Sequence, residues 1–285
     1  MLYVLVNPLA LNGKAEENVA EAVKNFEGME YKKLSLIDLD VRKIISELSD
    51  EDKVLLIGGD GTLNRFANDT ADMDYPCDIY LYKSGTGNDF MKDVEDKVKN
   101  NMVKINEYLT DLPSITVKGK TYRYINGIGY GIDGMCCEVA DKMKAEGKEN
   151  INYAGISIKL LIHGYKCPDA KVTVDGKVYN FKKVWLASAM KGRFYGGGLN
   201  IAPSQDRKSG KLTAAIVHSS GKLKTLIVFP QIFKGQHVKH KKMFTAIEGR
   251  EITVEFTHPM ALQIDGETVL GVTSYTVKSP AKVKA

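Results

Sequence analysis

Cysteine, proline and tryptophan are all scarce in this chain: four, eight and one in 285 residues. Cys77, Cys136, Cys137 and Cys167 form no C-x-x-C pair, and no histidine stands at zinc-ligand spacing from them. That excludes the usual structural zinc site and a disulfide framework, and scattered thiols suit a reducing cytosol. No hydrophobic run approaches the ~18 residues that span a bilayer. The apolar start, MLYVLVNPLALNG, lacks a positive flank and soon meets Asn7-Pro8, so it reads as a buried strand and not as a secretion signal. Low-complexity linkers and internal repeats are missing too, so two domains would abut directly.

What is present is ordinary globular composition, 44% hydrophobic and 26% charged, in a chain long enough to bury a sizeable core. The net charge of +5 hides an asymmetry. Residues 1–125 hold 16 Lys/Arg and 22 Asp/Glu; residues 126–285 hold 24 and 13. A split of this size predicts two domains with different surfaces, the second suited to anionic partners such as a membrane surface or a phosphate. A lysine-rich soluble surface is the plainer alternative.

The first part alternates strands and helices. Leu2–Val6, Tyr31–Leu36, Val54–Ile57 and Ile79–Tyr82 read as strands; Ala15–Phe26, Val41–Leu48 and Thr62–Ala71 have helical spacing. Val54–Ile57 is continuously apolar, as a strand covered on both faces requires. The alternation predicts a parallel α/β sheet. Beyond about residue 113, short alternating segments dominate, from Ile115–Val117 to Tyr275–Val277, punctuated by the turns Asp175-Gly176 and Asp265-Gly266. That pattern predicts an antiparallel sandwich or barrel, interrupted by helical stretches at Cys136–Ala145 and near Lys222–His237.

Two glycine loops carry the chemistry. The first, Gly58-Gly59-Asp60-Gly61-Thr62-Leu63-Asn64, lies between a strand and a helix, where backbone N–H groups and the helix N-terminus favour anions. Asp60 is the odd member: a carboxylate beside phosphate suggests Mg²⁺, directly or through water. A glycine-rich turn with Asp60 as a cap is the bland alternative. This is neither a Walker A loop nor the dinucleotide fingerprint. The second loop, Ser84-Gly85-Thr86-Gly87-Asn88-Asp89-Phe90, again follows a strand. Two such loops at the carboxyl ends of neighbouring strands would face one crevice.

GGDGTLN followed by SGTGNDF resembles the catalytic domain of the diacylglycerol kinase family of lipid kinases. Asn7-Pro8, NGIGYGIDG (Asn126–Gly134), YGGGLNIAP (Tyr195–Pro203) and IDGE (Ile264–Glu267) resemble further blocks of that family, in order. The resemblance implies an α/β nucleotide-binding domain with a parallel sheet at 1–122, joined by a C-terminal return at 276–285. It also implies an antiparallel β-sandwich lipid-substrate domain at 123–275 and an active site in the cleft between the two. By resemblance, ATP is held at Asn7, Pro8, Ser35, Gly58–Asn64, Ser84, Gly85, Thr86 and Asn88. Asp60 serves catalysis and Mg²⁺, and Glu267 is the base that takes the proton from the lipid hydroxyl. Read by itself, Asp265-Gly266-Glu267 is a hairpin turn.

Several residues depart from the family pattern. Arg65 replaces a frequent carboxylate, Lys83 a usual proline, and NPLALNGKA lacks a Ser-Gly pair. Gln205-Asp206-Arg207-Lys208-Ser209-Gly210 replaces an acidic segment that supplies a structural Mg²⁺ site in bacterial members, so no such metal is expected. Lys234–Lys242, with His237 and His240, is a basic cluster suited to anionic headgroups or simply to solvent. No nucleic-acid reader motif accompanies the charge. The expected protein is a cytoplasmic enzyme, peripherally docked on a membrane through its basic domain, with a homodimer left open. An NAD kinase-like enzyme with a soluble substrate, and a nucleotide-binding regulator without turnover, stand as alternatives.

Overall fold

The apolar run around Val54–Ile57 is the centre of a five-stranded sheet. A computed structural model of the chain describes residues 1–8, 15–84, 88–148 and 151–280. It divides the backbone into two units, Met1–Leu112 and Pro113–Ala285. In the first, β1 (Leu2–Val6), α1 (Ala15–Ala22), β2 (Tyr31–Ser35), α2 (Val41–Ser46), β3 (Lys53–Gly58), α3 (Asp60–Asp69) and β4 (Asp78–Lys83) alternate along the chain. After them come α4 (Asp89–Asp93), β5 (Met102–Lys104) and α5 (Asn106–Leu109). Strand order is β2-β1-β3-β4-β5, with the first four parallel and β5 antiparallel to β4. Val54, Leu55, Leu56 and Ile57 are fully buried, because helical crossovers cover parallel strands on both faces. Alternate residues of β1 and β3 (Leu2, Val4, Val6, Leu55, Ile57) pack with Val19, Ala22 and Phe26.

The second unit begins with β6 (Ser114–Val117), β7 (Lys120–Arg123) and β8 (Gly127–Tyr130), followed by α6 (Ile132–Ala145) and α7 (Tyr153–Ile162). The strands β9 (Ala170–Val174), β10 (Lys177–Phe181), β11 (Leu186–Met190), β12 (Phe194–Tyr195), β13 (Leu199–Asn200) and β14 (Leu212–Val217) lead to α8 (Lys222–Val228). The unit finishes with β15 (Phe244–Gly249), β16 (Glu251–Ile264) and β17 (Glu267–Lys278). Ten of these strands form an antiparallel sandwich, ordered β15-β14-β11-β8-β16-β17-β6-β7 with β9 and β10 branching from β16. Strand β16 makes the sandwich possible. Its first half pairs β9 and its last residues pair β8, and the register shifts between Glu255 and Met260, where Pro259 withholds a ladder N–H. The sandwich interior holds Tyr130, Phe256, Tyr275 and their aliphatic neighbours. A second core joins α6 and α7 to Trp185, Leu186 and Met190.

Three features differ from the sequence reading. The unit boundary falls at 112/113, not 122/123, because β6 pairs β17 and β7 pairs β6. Thr276–Lys278 therefore continue the second unit's sheet instead of returning to the first unit, and residues 281–285 of the expected return lie outside the described residues. The observed boundary sharpens the charge split: 13 Lys/Arg against 22 Asp/Glu, then 27 against 13. Helix α7 was not anticipated, since its apolar residues run all round it and leave no amphipathic signal.

Tyr130 stacks on Phe256 with ring centroids 3.9 Å apart, and its hydroxyl donates to the Val272 carbonyl at 2.6 Å. Phe256→Ala should therefore lower the unfolding free energy by about 3–5 kcal/mol, measured by denaturant titration. A change below about 1 kcal/mol would mean that this stack does not support the sandwich.

Candidate functional site

Parallel register aligns the predicted nucleotide-binding residues of the first unit. Val6 is level with both Ser35 and Ile57, Ile57 with Tyr82, and Gly58 with Lys83. Asn7, Ser35, Gly58-Gly59 and Ser84 thus stand in one row at the carboxyl ends of four adjacent strands. The strand order reverses between β1 and β3, and open α/β sheets bind ligands outside such a switch point. Asn7 and Gly59 flank it. Pro8 and Ser35 are exposed, and the Ser35 hydroxyl accepts the Ile37 N–H at 3.2 Å.

The glycine loop passes straight into α3. Gly58 is compact for an internal reason: a side chain there would meet Thr62 at 2.4 Å. Gly59, the N-cap, lies against the second loop, where an added Cβ would sit 3.1 Å from the Ser84 carbonyl oxygen. Gly61 is different. It is exposed, its φ is not positive, and an added Cβ would meet nothing within 4 Å. Neither packing nor backbone conformation requires glycine there, in the first turn of a helix whose leading N–H groups have no partners within the helix. Leu63 is core, 1% exposed, so only its backbone belongs to the loop. Asn64 accepts from the Asn68 amide.

Asp60 ties the two loops together. Its carboxylate accepts the backbone N–H groups of Asp89 at 2.7 Å and Phe90 at 2.9 Å, the opening residues of α4. Asn88, buried and left-handed at φ 53°, aims the chain into that helix. Ser84 closes the first turn, donating its N–H to the Gly58 carbonyl at 3.1 Å, while its hydroxyl accepts from Asn18. Of the predicted binding residues, Gly85 and Thr86 lie outside the described residues, as does most of NPLALNGKA.

In the second unit, the IDGE hairpin is both a turn and a brace. Asp265 and Gly266 carry positive φ, 45° and 98°, as a tight β-hairpin requires. The Asp265 carboxylate accepts three successive N–H groups, from Ile125, Asn126 (3.0 Å) and Gly127 (2.9 Å). Arg207 is buried and donates to the Ile125 carbonyl and to Asn126 Oδ1. Gly266 donates its N–H to Gln263 Oε1 at 2.7 Å. Glu267, the predicted base, follows this braced corner and is exposed at the start of β17.

Sequence reasoning missed Asp133, in the first turn of α6. It lies over Gly129, whose added Cβ would be 2.8 Å from Asp133 Oδ2 and 2.7 Å from Gln263 Nε2. The residue keeps some exposure, yet Oδ2 is enclosed and has no hydrogen-bond partner. Burial pushes its carboxyl up to about 7. Its only sequence signal was a lone acid in the glycine-rich segment NGIGYGIDG.

Other candidates have structural roles. His237 is buried and donates from Nε2 to the Ile201 carbonyl, and His240 meets Gln231. Of the basic side chains in this cluster, only the lysines are exposed. Burial raises all four thiols, Cys136 to about 11 and Cys137 to about 12, which disfavours a cysteine nucleophile. Among the described residues, no group of three or more His, Cys, Asp or Glu gathers as a metal site, and no helix is long and apolar enough to cross a membrane.

Because the fold raises the Asp133 pKa above its unfolded value of about 3.9, the neutral carboxyl is the favoured folded form. Its contribution is complete below pH 4 and is lost as pH rises through about 7, with a slope approaching about 1.4 kcal/mol per pH unit. Asp133→Asn should remove that slope in denaturant titrations across pH 4–7. An unchanged slope would place the carboxyl in a solvated setting.

Residues 1–117 match the diacylglycerol kinase catalytic domain, and residues 126–284 match the YegS C-terminal NAD kinase beta sandwich-like domain. A diacylglycerol kinase of Mycobacterium tuberculosis is 25% identical over 257 residues, covering 85% of this chain and 81% of that protein. The crystal structure of a diacylglycerol kinase from Bacillus anthracis superposes with a TM-score of 0.67 at 20% identity, over 98% of this chain and 94% of that one. Yeast NADH kinase shares the fold more distantly, at a TM-score of 0.50 and 9% identity, over 99% of this chain and 81% of that one. The two matches cover both units, and the chain belongs to the diacylglycerol kinase family.

Proposed function

We propose that this chain is an ATP-dependent lipid kinase that phosphorylates the hydroxyl of diacylglycerol or a related lipid at a membrane surface. Gly61 carries the nucleotide half of this reading. It is an exposed first-turn glycine that nothing within the fold requires, and close approach of a phosphate to the backbone explains it. Asn7, Ser35, Gly58–Thr62 and Ser84 supply the neighbouring contacts, with Gly85, Thr86 and Asn88 on the second loop. Mg²⁺ would enter with the triphosphate and neutralise its charge. Both Asp60 oxygens accept N–H bonds, and each keeps a lone pair with which the carboxylate would meet the ion directly or through water.

The acceptor half rests on the second unit. A groove of about 220 Å³ beside α6 is lined by Met135, Pro259, Met260, Ala261 and Leu270, with Glu138 at its side, a mostly apolar surface suited to an acyl chain. The same strand, β16, leads from Met260 to the IDGE corner. In the proposed step the lipid oxygen attacks the terminal phosphorus and the bond to the bridging oxygen breaks. Glu267 takes the hydroxyl proton, and ADP leaves. A soluble alcohol would have no use for that groove.

Two variants test the halves separately. Gly61→Ala should stabilise α3 by about 0.5–1 kcal/mol while weakening ATP binding roughly tenfold or more, since a methyl would lift the phosphate off its N–H donors. Unchanged ATP affinity by calorimetry would overturn the cradle. Glu267→Gln should lower kcat on diacylglycerol in mixed micelles about 10²-fold or more, with ATP affinity intact. Normal turnover would make Glu267 a turn residue only. If no lipid in a panel accepts phosphate from ATP while ATP still binds, the kinase reading fails.

A further inference from the structure

The described residues include twelve large hydrophobic side chains that are exposed, and six of them belong to two helices that pack together and the turn that follows. Tyr153, Ile158 and Ile162 are on α7; Leu223 and Ile227 are on α8; Phe233 is in the 3₁₀ turn that follows. The two helices pack together, and the Lys222 ammonium donates to the Ile162 carbonyl at the end of α7, 3.1 Å away. Exposure reaches 73% at Leu223 and 63% at Ile227, far beyond incidental contact with water.

These side chains are not spare core. Each helix already has an inward face: Ile156, Leu160 and Leu161 on α7, Thr225 and Val228 on α8. The outward pairs Ile158/Ile162 and Leu223/Ile227 repeat at i, i+4, on the face where a surface helix normally carries charge. Exposed apolar side chains gathered on adjoining elements in this way mark an interaction site.

Charge identifies the partner. Residues 151–168 contain no Asp or Glu, and residues 207–247 contain nine Lys/Arg and no Asp or Glu. Lys159, Lys222, Lys224 and Lys234 stand among the exposed apolar side chains. A second copy of the chain would bring the same uncompensated lysines face to face, which is unfavourable. Apolar side chains interspersed with lysines match the interface of an anionic bilayer, where acyl chains lie beneath negative headgroups. We propose that the α7–α8 face is the surface by which this protein enters an anionic membrane. The inference deepens the lipid-kinase reading and rests on it for the identity of the membrane as the substrate's home.

The test is co-sedimentation of the full chain with phosphatidylglycerol–phosphatidylcholine vesicles, without ATP. The double variant Leu223→Gln, Ile227→Gln should lower partitioning at least about tenfold. Lys224→Gln and Lys234→Gln should each cost roughly fivefold, and high salt should reproduce only the lysine effect. Val178→Gln, which removes a 50% exposed apolar side chain on β10, should change nothing. Wild-type partitioning by the double variant would overturn the proposal. So would equal binding to pure phosphatidylcholine, or a dimer that the same double substitution dissociates in sedimentation velocity, which would make the face a self-interface. Thermal melting confirms that each variant is folded. Turnover on a short-chain acceptor in non-ionic micelles separates the two ideas: loss of turnover with normal vesicle binding counts against the kinase and leaves the docking face standing.

Discussion

A carboxylate that accepts two or three neighbouring backbone N–H groups is the recurrent device of this fold. Half-buried loops leave successive donors that must find acceptors, and one aspartate can satisfy several at once. Asp60 does this for Asp89 and Phe90 across the sheet, and Asp265 for Ile125, Asn126 and Gly127. Asp175, in the other Asp-Gly turn, does it for Arg250 and Glu251. Remove the first and the two glycine loops lose their common reference; remove the second and β8 loses its fixed start beside the IDGE corner. The geometry of the glycine loops in the first unit and of the IDGE corner in the second follows from these contacts.

The local parts of this arrangement were legible in the sequence. Glycines after a continuous apolar strand, followed by helical spacing, identify the first loop, and the repeat after β4 strengthens it. The order of strands in the sandwich was not legible, because pairing partners lie far apart in the chain. Asp265 reads as a hairpin aspartate, yet its acceptor role depends on backbone 138 to 140 residues away. The same non-locality misplaced the boundary: β6 and β7 follow the α/β region in sequence, and only pairing with β17 assigns them to the sandwich. Asp133 escaped notice because what distinguishes it is enclosure, and a sequence does not display enclosure.

The departures from the family pattern fall mostly on the surface. Arg65 pairs with Asp69 one turn along its own helix at 3.5 Å, both side chains exposed, an interaction worth a few tenths of a kcal/mol. Lys83 is exposed at the end of β4. Arg207 is the exception. It is buried, and its permanent charge and fork of donors hold the same residues that Asp265 holds from the other side of the peptide. The segment in which it lies therefore keeps an organising role with a guanidinium in place of acids.

Gly134 sets a limit on how this architecture can vary. Helix α6 lies so close to β16 at this point that a single added carbon would be 1.9 Å from the Ala261 carbonyl oxygen. No rotamer change relieves such a clash, since both partners are backbone-fixed; any side chain would lift the helix from the strand. One residue before it is Asp133, and four residues beyond Ala261 is Asp265. The smallest residue in the alphabet thus acts as a rivet, so that the enclosed acid and the braced corner shift together or not at all.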